Sequence, residues 1–181
     1  TGEGAGEPSP ETVKRGQAVG AKTRRENDFL ASIGAYYADY DKLDQRKRAQ
    51  VYLAAMEKLS KSYPEDDEAQ IYYALALNIA ASPSDKTYAN QLKAAGILEG
   101  VFKRQPRHPG AAHYLIHAYD DPAHASQRLK YADAYSKIAP AASHALHMPS
   151  PIYVAMGMWD ESASINERAV KAADARRTGG S

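Results

Sequence analysis

The sequence predicts an all-α chain of antiparallel helix pairs stacked as an α-solenoid, about eight helices in all. Three observations carry this. Alanine is abundant and runs of β-branched residues are nearly absent, which favours helix over strand. Prolines able to end a helical hairpin recur at Pro64, Pro106 and Pro140, the last two 34 residues apart. The segment GMWDES, from Gly157, sets a glycine turn and an aromatic residue, Trp159, ahead of Ser162 and Ala169, small residues where paired helices can touch.

The elements follow in order. Residues 1–9 are small and polar and are expected to be disordered. A short helix follows Pro10 and ends at Gly20. Thr23 and Glu26 make a capping box ahead of a helix carrying Phe29, Leu30, Ile33, Tyr36 and Tyr37. After a turn at 39–44, Val51, Tyr52, Ala55, Met56 and Leu59 line one side of a helix from Gln45 to Tyr63, which Pro64 stops. The run EAQIYYALALNIAA after Asp66 is apolar on nearly every face and predicts a central helix, broken at Ser82-Pro83-Ser84-Asp85. Tyr88, Leu92, Ala95, Leu98 and Phe102 mark a helix over 87–104, paired with the preceding one in a hairpin whose loop surrounds Pro83. Helices over 111–119 and from Pro122 to about Ile138 form the next hairpin, and SHALHMPSPIYVAMG with MWDESASINERAVKAADA forms the last. The repeat domain is placed at 10–175, with 176–181 as a disordered tail.

Composition closes off several function classes. With 23 Lys and Arg against 22 Asp and Glu the net charge is +1, so no nucleic-acid footprint is present. There is no cysteine, which removes disulfides, thiolate metal sites and cysteine nucleophiles. No stretch approaches the roughly 20 apolar residues of a membrane-spanning helix. No glycine-rich phosphate loop, H-E-x-x-H motif or nucleophile elbow occurs, and an enzymatic role is the weaker expectation.

A 34-residue spacing is the tetratricopeptide (TPR) period, and a repeat scaffold of that kind points to a binding or scaffold module. The runs YPEDDEAQIYYALAL, HPGAAHYLIHAYDDPAHA and IAPAASHALHMPSPIYVAMGMWDESASINERA resemble a group of largely uncharacterised bacterial TPR repeat proteins, from about Pro10 to Ala173. HYLIHAYDDP and HALHMPS are the most specific segments, because generic TPR repeats lack them. Members of that group are usually longer at both ends and many look exported, so the resemblance implies a periplasmic or extracellular location as one option and no particular enzymatic activity. The group's pattern HMPSHI is altered here, with Pro151 in the histidine position.

The candidate site is a set of histidines at matching repeat positions. His113 and His147 each follow their proline, Pro106 or Pro140, by seven residues, and His117 lies one helical turn beyond His113. In TPR hairpins such positions face the concave groove, so His113, His117, Asp120, His144 and His147 are expected to line a ligand-binding groove. A peptide, a protein segment or a small acidic ligand would fill it. No cofactor is expected as the main reading. The alternative is a metal-binding protein, with a hydrolytic role open to it, holding a divalent ion such as zinc through His113, His117, His147 and Asp121. A third reading stays open beside both: these side chains form a polar network that only bridges neighbouring hairpins. His108 and His124 read as surface or cap residues, and Trp159 as a structural turn residue.

Overall fold

The computed structural model describes residues 10–178, and among them every regular element is helical. The expected disordered segment 1–9 and the last three residues of the expected tail lie outside the described residues. Among the described residues ten α-helices are present rather than about eight. They fall into two compact units that divide between Ser84 and Asp85.

The first unit contains α1 (Pro10–Val19), α2 (Arg24–Tyr37), α3 (Gln45–Ser62) and α4 (Asp67–Ile79), each packed on the next. Its helix ends are specified locally. Gly20 closes α1 with φ +74°, a conformation that costs glycine little. Thr23 and Glu26 form the reciprocal capping box of α2. The Asp44 carboxylate accepts the Lys47 N–H at 2.8 Å to cap α3. Asp66 caps α4 through the Glu68 and Ala69 N–H groups and also takes the Arg25 guanidinium from α2, and that partner holds its carboxyl below the usual carboxylate range. Tyr52, Met56 and Leu59 of α3 meet Ile71, Tyr73, Ala74 and Leu77 of α4 in the core.

The second unit holds α5 (Ala89–Arg104), α6 (Pro109–Ala118), a single 3-10 turn at Pro122–His124, α7 (Ala125–Ile138), α8 (Ser143–His147), α9 (Ser150–Ala155) and α10 (Trp159–Thr178). Here α5 packs on α6, α6 on α7, and α10 on both α8 and α9. Ala94, Ala95, Ala111, Ala112, Ala118, Ala132 and Ala145 are all at or below 2% exposure, so the helices approach through their smallest side chains. Leu98, Val101, Leu115, Ile116 and Ile152 fill the remaining volume.

Several features depart from the sequence expectations. The unit boundary falls between the two helices assigned to one hairpin over 65–104, so α4 and α5 belong to different compact units. Pro149 and Pro151 break the first helix of the last hairpin into α8 and α9, because proline removes the N–H that would continue the ladder. Helix α10 also runs three residues beyond the expected boundary at 175, as the alanine-rich run KAADARR suits helix. Trp159, read as a structural turn residue, is 64% exposed at the first position of α10.

Candidate functional site

The site is built on α6 and α8, the first helices of two successive hairpins in the second unit. Helix α6 starts where His108 Nδ1 accepts the Ala111 N–H at 3.1 Å, with Pro109 in the first turn. That start fixes the phase of the helix. Ala111, Ala112, Leu115 and Ile116 turn inward, and His113, Tyr114 and His117 are left on the more open side. Helix α8 is only five residues long and presents His144 and His147 to solvent while Ala145 and Leu146 are buried.

Three imidazoles come together. His113 Nε2 lies 3.1 Å from His117 Nε2 and 3.3 Å from His144 Nε2. The His113 ring stacks on Tyr135 of α7, with centroids 5.0 Å apart and planes 5° from parallel, and on Tyr114 at 5.5 Å. Partial burial, and then the neighbouring His117 and His144, push His113 down to about 4, so the ring is neutral at physiological pH. His117 is also held below its ordinary value, by partial burial first; Asp120 opposes this, and Arg128 and His144 reinforce it.

The other expected site residues are placed differently. Asp120 is exposed and pairs with Arg128 at 2.8 Å. His147 Nδ1 meets Asn166 Oδ1 of α10 at 2.9 Å, and Asn166 Nδ2 donates to Ser150 Oγ at 2.6 Å. Ser150 in turn pairs with Ser162 at 2.9 Å, so His147 ends a chain of polar groups between α8, α9 and α10. Asp121 is 8% exposed. Its carboxylate accepts the Ala123 N–H at 2.9 Å and faces His124 Nδ1 at 2.7 Å, which caps the 3-10 turn. The structure therefore brings His144, rather than His147 or Asp121, to the pair His113 and His117. Among the described residues no three or more His, Cys, Asp or Glu side chains stand ready-made around a point where a metal ion would sit.

Sequence reasoning missed Tyr135, Asn166 and Arg128. Tyr135 and Asn166 lie on other helices than the histidines they contact, and Arg128 lies on α7 while its partner Asp120 follows α6, so no single-helix periodicity could reveal the pairings. His144 was in the expected groove set, but its repeat position did not match that of His113. It lies in the first turn of α8, where its Nε2 comes within 3.3 Å of His113 Nε2. Beside the cluster an open, mostly apolar trough runs between α8 and α10, lined by His144, His147, Asn166, Ala169, Val170 and Ala173. No described helix is long and apolar enough to cross a membrane.

No family model and no curated protein matches the chain. Solved structures do match it across most of its length. The structure described as the MamA RS-1 ArsTM double mutant is 15% identical, covering 93% of this chain and 85% of that one with a TM-score of 0.66. MamA 41-end from Desulfovibrio magneticus RS-1 is 17% identical over 95% of this chain and 86% of that one, with a TM-score of 0.61. TTC0263, a thermophilic TPR protein of Thermus thermophilus, is 17% identical over 83% of this chain and 75% of that one, with a TM-score of 0.60. Likeness at this level of identity is a likeness of fold, and the fold of this chain is the helical-repeat fold of TPR proteins.

Proposed function

We propose that the chain is a binding module whose recognition face is centred on His113, His117 and His144 and continues into the trough between α8 and α10. The ligand on this reading is a peptide or protein segment. The observation that carries it is the meeting of partly exposed imidazoles from two successive first helices beside an open trough with Val170 and Ala173 in its wall. The neutral His113 ring, stacked on Tyr135, offers hydrogen bonding and a flat surface without a fixed charge. The trough offers an apolar seat for one side chain of the ligand. Helical repeats bind extended partners along such first-helix faces, and the TPR-type fold supports that mode.

The test is selection of peptides from a displayed random library against the whole chain, followed by backbone amide shift mapping with the selected peptide. Shifts should concentrate on α6, α8 and α10, and His144→Ala should weaken the peptide by about ten-fold. Peptides that bind the His113→Ala, His144→Ala double variant as tightly as the parent would remove the histidine face from the recognition surface.

A further inference from the structure

We propose that His113, His117 and His144 form a site for one divalent ion of the borderline class, zinc foremost, with the Nε2 atoms of His113 and His117 as a chelate and His144 as the third ligand. The site binds the ion without any partner and joins two successive hairpins of the second unit. It rests on the side-chain cluster alone and not on the peptide reading.

The first argument is distance. Nitrogen donors around a tetrahedral zinc ion, at bond lengths near 2.0–2.1 Å, stand about 3.3–3.4 Å from one another. The two separations at His113 Nε2 are 3.1 Å and 3.3 Å. His113 and His117 are four residues apart on α6, so both rings project from one helix face and reach the same point without a change in the backbone.

The second argument is proton count. A neutral imidazole nitrogen has one in-plane position, occupied either by a proton or by a lone pair. His113 Nε2 faces two other Nε2 atoms at once. It can make one good in-plane hydrogen bond, and the second contact is then poorly satisfied. A cation at the meeting point of three lone pairs satisfies all three rings together.

The third argument is preparation of the ligands. The His113 ring stacks on Tyr135 and lies against the adjacent Tyr114, contacts that restrict its plane. His117 and His144 are exposed, and their planes lie 54° and 72° from that of His113. As placed, the three side chains are not arranged so that they could hold a metal ion, and on this proposal the two outer rings turn about their side-chain bonds to close on it. A donor set made only of imidazoles, in a chain with no cysteine, selects zinc, copper, nickel or cobalt over calcium and magnesium.

The experiment uses the full chain with any histidine tag removed and metal stripped by chelator, titrated with Zn²⁺ by calorimetry and with Co²⁺ by visible absorption. One ion per chain is expected, together with movement of the imidazole nitrogen resonances of His113, His117 and His144. Loss of a direct ligand costs at least the roughly ten- to hundred-fold that an outer-shell partner is worth, so His113→Ala and His117→Ala should each weaken binding by that much or more. His147→Ala and His124→Ala should leave it unchanged. His117 lies at the exposed end of α6, so His117→Ala keeps its helical circular dichroism and remains a valid test if His113→Ala misfolds. The absence of saturable one-to-one binding, or binding that survives both substitutions, overturns the inference. A chain that binds selected peptides but no ion overturns this site alone, and one that binds the ion but no peptide overturns the peptide reading alone.

Discussion

Replacing Glu99 with alanine removes one acceptor from two buried hydroxyls. Tyr119 OH and Tyr131 OH each donate to Glu99 Oε1 at 2.8 Å, and both rings are largely buried, stacked 6.0 Å apart. A hydrogen bond to a charged acceptor contributes about 1.5–3 kcal/mol, but Glu99 itself is exposed, so water can reach part of the vacated site. The two losses together should therefore come to about 2–3 kcal/mol rather than their full sum. At roughly 2–4 °C per kcal/mol for a chain of this size, the melting midpoint should fall by about 4–12 °C. A second readout separates this network from general damage. Burial, and then the bond to Glu99, push Tyr119 up to about 12, and the same two causes raise Tyr131. For an acid whose folded pKa is raised, the stability is present below the unfolded value near 10 and is lost as pH rises towards the folded one. Spectrophotometric titration of the parent should place Tyr119 and Tyr131 among the late-titrating of the thirteen tyrosines, and Glu99→Ala should bring both to lower pH. A double-mutant cycle with Tyr131→Phe should give a coupling of about 1 kcal/mol or more. Zero coupling with unmoved tyrosine titrations would refute the hub.

Three further outcomes are expected. Asp66→Ala removes the cap of α4 and the partner of Arg25, so denaturant unfolding at neutral pH should show a loss of about 1–2 kcal/mol. Because the Asp66 carboxyl is held below its ordinary value, its contribution is present above about pH 3.9 and is lost as pH falls through the folded pKa; the variant should lose less stability than the parent over that acid range. Ala74 is fully buried in the first unit, so Ala74→Leu should overpack α4 and lower stability by roughly 1–3 kcal/mol in a thermal melt, and an unchanged melt would contradict its placement. Gly157 turns the chain into α10 at φ +74° with nothing near its missing Cβ, so Gly157→Ala should cost about 1 kcal/mol from backbone strain alone, with Gly157→Asn milder.

The helices and their ends were legible because their causes are local. The Thr23–Glu26 capping box, the Gly20 and Gly157 turns and the Pro64 stop each act over a few residues, and each is found where the sequence puts it. Apolar spacing likewise picked out the buried Tyr52, Met56 and Leu59 of α3 and Leu98 of α5. The boundary between Ser84 and Asp85 was not legible in the same way. Two helices adjacent in sequence carry no local mark of whether they share a core, since that depends on which faces of more distant helices compete for them.

The candidate site divides along the same line. By itself the sequence determined that the chain is helical and repetitive, and that His113 and His117 share one face of one helix, because a spacing of four residues is a property of the helix alone. Only the tertiary structure decided which third residue joins them. His147 holds the repeat position equivalent to His113, yet its ring turns to Asn166, while His144 meets His113 across the gap between hairpins. Asp121, adjacent to Asp120 in the chain, is drawn into capping its own turn. Those choices follow from where the proline-broken α8 lies against α7 and α10, and contacts between helices are set by packing of their buried faces, which no spacing within a single helix encodes.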